Sequence, residues 1–172
     1  MKKILLSVVF MALASVGFSQ EFTKGDTLRG MLTPLRTCYD VVYYDLDVKV
    51  DIANKYLSGS NLFKFKATQN FSRLQFDLFD NMQVDSVLYH GTKLPFTREY
   101  NAVFVDFATA IGLDAIDSFR VYYQGTPIAA KMPPWDGGMV WRQDKNGDPF
   151  VGVACEGIGA SLWWPNKDHL SD

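Results

Sequence analysis

Tyr44, Leu46, Val48 and Val50 alternate with Asp45, Asp47, Lys49 and Asp51, and this period of two commits the segment to a β-strand with one buried face. A helix would scatter the same apolar side chains around its surface. Asn54 and Lys55 turn the chain, and residues 56–67 return as a second strand in which Gly59 is read as a bulge. Further strands are predicted over 73–79, 83–90, 93–98, 102–107, 118–123, 138–142 and 150–155. His90-Gly91-Thr92-Lys93 reads as a tight hairpin connection and Asn146-Gly147 as a type I′ turn. The one helical signal, over 109–116, is short. Many short strands punctuated by Gly, Pro and Asn predict an all-β domain, an antiparallel saddle or sandwich.

The alternation begins well into the chain. Lys2 and Lys3, the apolar run from Ile4 to Ala14 and the small residues Gly17 and Ser19 before Gln20 form a secretory signal peptide over residues 1–19. Its apolar run is too short to cross a bilayer core of roughly 30 Å. The protein is therefore expected to be exported, periplasmic or extracellular, with no membrane span in the mature chain. Residues 20–37 have no periodicity and read as an extended lead-in, and residues 38–172 as the β-domain. After the leader about 150 residues remain, enough for one domain burying roughly two-thirds of its unfolded surface. A formal net charge of −2 gives no basic face to neutralise phosphates, which argues against a nucleic-acid partner. Cys38 and Cys155 remain in the mature chain, either as a disulfide closing a long loop or as two buried thiols.

No self-sufficient catalytic centre is found in these residues. Asp144-Lys145-Asn146-Gly147-Asp148 places oxygens at alternate positions, as a calcium loop does, but Pro149 stands where such a loop needs Gly and Cys155 where it needs a bidentate Glu. A zinc site needs three or four ligands, and His90 and His169 are the only histidines, far apart and outside any H-E-x-x-H. Ser161 lacks the second Gly of a G-x-S-x-G elbow, Cys155 lacks a neighbouring base, and no glycine-rich loop has phosphate-binding spacing. Trp135, Trp141, Trp163 and Trp164 could pack on sugar rings or anchor strands, and 133–138 reads as a rigid turn with Trp135 pinned beneath it.

Glu156 is the acid of interest. It ends the apolar run 150–155 and precedes Gly157-Ile158-Gly159-Ala160, so it reads as a carboxylate at the end of a buried strand. Such a charge needs a partner, either an ion pair with a Lys or Arg of the chain or a ligand cation such as a substrate ammonium.

Two stretches carry a family resemblance: Pro133-Pro134-Trp135-Asp136-Gly137-Gly138-Met139-Val140-Trp141, and Cys155 through Trp163-Trp164-Pro165-Asn166-Lys167-Asp168. Together they resemble the N-terminal domain of the aminopeptidase N family of gluzincin zinc metallopeptidases, most nearly its secreted bacterial members. The resemblance implies a saddle-shaped β-domain beside a thermolysin-like catalytic domain. It also implies that Glu156 stands where the family carries a Gln or Glu that binds the free amino group of a peptide substrate. Asn166 replaces the Cys of the family's Pro-Cys-x-Asp.

The G-x-M-E-N loop and H-E-x-x-H are absent from the 172 residues. The chain is thus expected to be the N-terminal part, a fragment, of a secreted zinc aminopeptidase. It would recognise the peptide N-terminus, while a partner catalytic domain would hold the zinc. Alone, it is expected to bind no catalytic zinc and to hydrolyse no aminoacyl-anilide. The alternative is a non-enzymatic secreted β-sandwich that binds glycan or a protein partner through its Trp residues.

Overall fold

A computed structural model describes residues 21–171, so the signal-peptide reading lies outside the described residues. The alternating segment is part of a longer strand, β1 (Tyr39–Asp51), which pairs antiparallel with β2 (Tyr56–Ala67) from Asp51↔Tyr56 to Tyr39↔Ala67. The turn between them is closed by the Asn54 amide donating to Asp51 Oδ1 at 3.0 Å, with Lys55 at φ 54°. Tyr44, Leu46 and Val48 pack inward while Asp45, Asp47 and Lys49 are exposed.

Eight further strands follow: β3 (Phe71–Asp77), β4 (Met82–Tyr89), β5 (Thr92–Leu94), β6 (Phe96–Glu99), β7 (Ala102–Ile111), β8 (Ile116–Gly125), β9 (Gly138–Gln143) and β10 (Pro149–Ala154). They form a five-stranded sheet in the order β1-β2-β8-β4-β5, a three-stranded sheet β3-β7-β6, and the hairpin β10-β9, each antiparallel. The fold is all-β, as the alternation predicted. The two larger sheets meet through aromatic side chains. Phe63 and Phe119 of the first sheet stack with centroids 4.6 Å apart, and Phe76 of the second lies 5.5 Å from Phe63. Leu57, Phe65, Leu74, Val103, Val105 and Val121 complete a fully buried core.

Several local expectations are corrected. The strand expected over 93–98 is two strands, because the chain changes sheets at Pro95: β5 pairs with β4, and β6 with β7. The helical signal over 109–116 is the end of β7, a turn with Asp114 at φ 63°, and the first residue of β8. His90 (φ 48°) and Gly91 (φ 79°) form the tight connection expected of them. Asn146-Gly147 does not form a type I′ turn, since only Gly147 has positive φ. Asp144 closes a longer loop instead, its Oδ1 accepting from the amides of Asn146 at 2.8 Å and Asp148 at 3.0 Å.

The lead-in is not extended. It carries two short helices, α1 (Lys24–Gly30) and α2 (Pro34–Thr37). A capping box starts α1: Asp26 N donates to Thr23 Oγ1 at 3.2 Å, and Thr23 N donates to Asp26 Oδ2 at 2.8 Å. None of the residues of α1 is buried, so an amphipathic pattern had nothing to reveal.

Gly59 is a close-approach glycine rather than a bulge. It pairs in register with Val48 and Tyr123, and a Cβ there would lie 2.0 Å from the Asp47 carbonyl oxygen. That oxygen belongs to the neighbouring strand and cannot rotate away. Gly59→Ala should therefore lower stability by about 1–3 kcal/mol, read as a fall in the urea midpoint. An unchanged midpoint would show that β1 and β2 can separate freely at this point.

Candidate functional site

The two stretches flagged in the sequence are neighbours in space. Ile158 packs where a Cβ on Gly137 would be, 1.4 Å from its Cγ2. The first stretch is braced by Asp136, whose carboxylate accepts from the amides of Lys131 at 2.6 Å and Met132 at 2.7 Å. β9 then joins the preceding segment through Met139, which donates to Ile128 O at 2.7 Å and accepts from Ala130 N at 3.0 Å. β10 returns beside β9 and leaves the hairpin at Cys155.

Glu156 lies on the turn that follows. The amides of Ile158 and Gly159 both donate to Cys155 O, at 3.2 and 3.0 Å, and Gly157 and Gly159 have φ of 64° and 82°. The Gly157 carbonyl accepts from Arg29 Nη2 at 2.9 Å. Glu156 itself is exposed, and none of the described ion pairs includes it. This corrects the reading of a carboxylate at the end of a buried strand. The β9–β10 hairpin stands outside the two larger sheets, and Phe150 and Val153 are exposed on it. The apolar run therefore did not mark a buried strand end.

Behind the turn, the chain is locked to the core by polar contacts. Ser161 Oγ donates to Asp168 Oδ2 at 2.5 Å, and its amide meets the same oxygen at 3.2 Å. A Cβ on Gly159 would strike that carboxylate at 2.1 Å. Ser161 is thus a buried structural residue. Asn166 and Asp77 exchange main-chain hydrogen bonds of 2.8 and 3.1 Å, and Lys167 Nζ donates to Tyr39 O at 2.9 Å while lying over the Tyr39 ring.

Asp77 joins these pieces. Its Oδ1 accepts from Arg36 Nη2 of α2 at 2.6 Å and from Gln75 Nε2 at 3.1 Å, and its Oδ2 accepts from the Asp168 amide at 3.0 Å. Arg36 also donates to Leu28 O at 3.0 Å and Asp168 O at 3.3 Å. Burial pushes the Asp77 carboxyl up to about 6, against the pull of Arg36 and of the Gln75 and Asp168 donors. Sequence reading missed this layer, because Gln75 and Asp77 alternate with Leu74, Phe76 and Leu78 as solvent-facing strand residues do.

The remaining candidates stay apart. His90 sits on the β4–β5 hairpin, its Nε2 2.8 Å from Asp117 Oδ1, while Tyr89 donates to Asp117 Oδ2 at 2.6 Å. His169 pairs locally with Ser171. Among the described residues no three His, Cys, Asp or Glu groups come together as metal ligands, so these residues do not fit zinc. Cys38 and Cys155 are free thiols, one buried and one half-buried. Burial raises both, Cys38 to about 11. Trp141, Trp163 and Trp164 are half-buried against the core, Trp164 edge-on to Tyr44 at 5.0 Å. Trp135 is 82% exposed rather than pinned under its turn.

No protein-family model and no curated protein matches the chain. Solved structures do. A two-domain M1 zinc metallopeptidase with L-tryptophan bound matches with a TM-score of 0.62 at 24% identity, over 78% of this chain and 30% of that one. The M1 zinc metallopeptidase from Deinococcus radiodurans matches with a TM-score of 0.57 at 22% identity, over the same shares of 78% and 30%. Leukotriene A4 hydrolase from Saccharomyces cerevisiae matches with a TM-score of 0.61 at 19% identity, over 93% of this chain and 25% of that one. The fold is that of an M1 N-terminal domain. The chain spans less than a third of the length of each of these structures.

Asp77→Asn would leave the Arg36 guanidinium, 0% exposed, without its anion. Stripping one partner from a buried pair costs about 3–5 kcal/mol, and denaturant unfolding should show a loss of that order. A loss below about 1 kcal/mol would mean that Arg36 is held by its carbonyl contacts alone.

Proposed function

We propose that this chain is the N-terminal β-domain of an exported zinc aminopeptidase, and that Glu156 anchors the α-ammonium of the peptide substrate. The observation that carries this reading is an exposed carboxylate, outside every described ion pair, on a turn with two positive-φ glycines, tied to β9 before it and to Arg29 after it. A substrate ammonium would complete the charge pair that the turn leaves open, and a rigid turn limits the entropy lost on binding. Fixing the amino group at one point restricts cleavage to the first peptide bond. The bond-breaking chemistry would come from a zinc-bearing domain outside this chain, since the described residues form no zinc site. The likeness of the fold to M1 metallopeptidases supports the assignment. Of the four Trp side chains, only Trp135 is exposed to serve the rival glycan- or protein-binding reading.

In the enzyme containing this chain, Glu156→Ala should reduce kcat/KM for aminoacyl-anilides by about 10- to 100-fold, the worth of a hydrogen bond to a charged group. Its melting temperature should stay the same, because the side chain is exposed. An unchanged kcat/KM would remove Glu156 from substrate binding. Export belongs to the same proposal: N-terminal sequencing of the secreted protein should begin at Gln20, and a product retaining Met1 would refute cleavage there.

A further inference from the structure

We propose that Arg29 on α1 is a positioning residue that holds the Glu156 turn in place, which makes the lead-in a working part of the substrate site. This inference rests on the role of Glu156 given above. Arg29 Nη2 donates to the Gly157 carbonyl at 2.9 Å across 128 positions of sequence, one residue beyond Glu156. Gly157 has φ 64° and no side-chain packing of its own, so its carbonyl is the handle by which the tip of the turn is gripped.

The grip has a firm base. The Leu28 carbonyl, next to Arg29, accepts from Arg36 Nη2 and from Gln75 Nε2, both at 3.0 Å, which ties α1 to the buried polar layer. At its other end Lys24 pairs with Glu99, and Gly25 lies against the Tyr100 ring. The Arg29 guanidinium also lies 6.0 Å from the centre of the Phe79 ring. Its direction is thereby set before it meets Gly157.

Farther along the turn, the chain is held through Ser161 and Asp168 to the same Asp77–Arg36 pair. Glu156 thus directly precedes two braces that share one foundation. Without Arg29, the near brace opens and Glu156 samples more directions than the one that meets the ammonium.

The test uses Arg29→Ala and Arg29→Lys, with Glu156→Ala in parallel. On this chain, hydrogen exchange should quicken at the Ile158 and Gly159 amides in Arg29→Ala. Arg29→Lys, which keeps the charge over Phe79, should be intermediate. In the enzyme containing the chain, Arg29→Ala should raise KM about 3- to 10-fold, the range of one typical intramolecular hydrogen bond, with a smaller change in kcat and partial rescue by Lys. Unchanged exchange at both amides would overturn the inference, as would quickened exchange with wild-type KM in an enzyme that Glu156→Ala impairs. If Glu156→Ala leaves kinetics intact, the substrate role fails instead, and the exchange result alone decides whether Arg29 holds the turn.

Discussion

A buried ion pair, Arg36 with Asp77, is the contact on which the packing of α1, β3 and the C-terminal segment depends. Two charges withdrawn from water gain little net stability, because desolvation offsets their attraction. Burial raises the Asp77 carboxyl in keeping with that cost. What the pair supplies is position. Arg36 reaches Leu28 of α1 and Asp168 of the C-terminal segment, and Asp77 reaches the Asp168 amide and, through its backbone, Asn166. Segments that share no regular sheet with β3 are thereby held to its outer face.

The apolar core and this polar layer divide the work. The aromatic contacts among Phe63, Phe76 and Phe119 join the two larger sheets and would do so for many sequences of similar volume. The polar layer is directional: hydrogen bonds at Ser161, Asn166, Lys167 and Asp168 set the path of residues 160–168. Glu156 lies just before that path, on the turn that follows the β9–β10 hairpin. Its placement therefore comes from hydrogen bonds and glycine conformations more than from burial.

Much of the fold was legible in the residues, for a stated reason. Strand alternation is a local property, and β1, β2 and the His90-Gly91 turn obey it. The misses share a cause as well. α1 and α2 bury almost nothing of their own, Arg36 excepted, and are held by groups far along the chain. Asn146-Gly147 lost to Asp144, whose side chain captured two amides of the loop. Pro95 split one apolar run between two sheets. For Glu156, the apolar run before it implied burial, and the turn after the β9–β10 hairpin leaves the side chain exposed.

By itself, then, the amino-acid order determined the class of fold and the position of most strands, because periodicity is written in neighbouring residues. Only the tertiary structure decided that Asp77 is an internal hub rather than a surface acid, that the lead-in folds back onto the core, and that Arg29 meets Gly157. Those outcomes depend on pairs separated by tens of residues or more, and no local pattern records which distant donor will reach a buried acceptor.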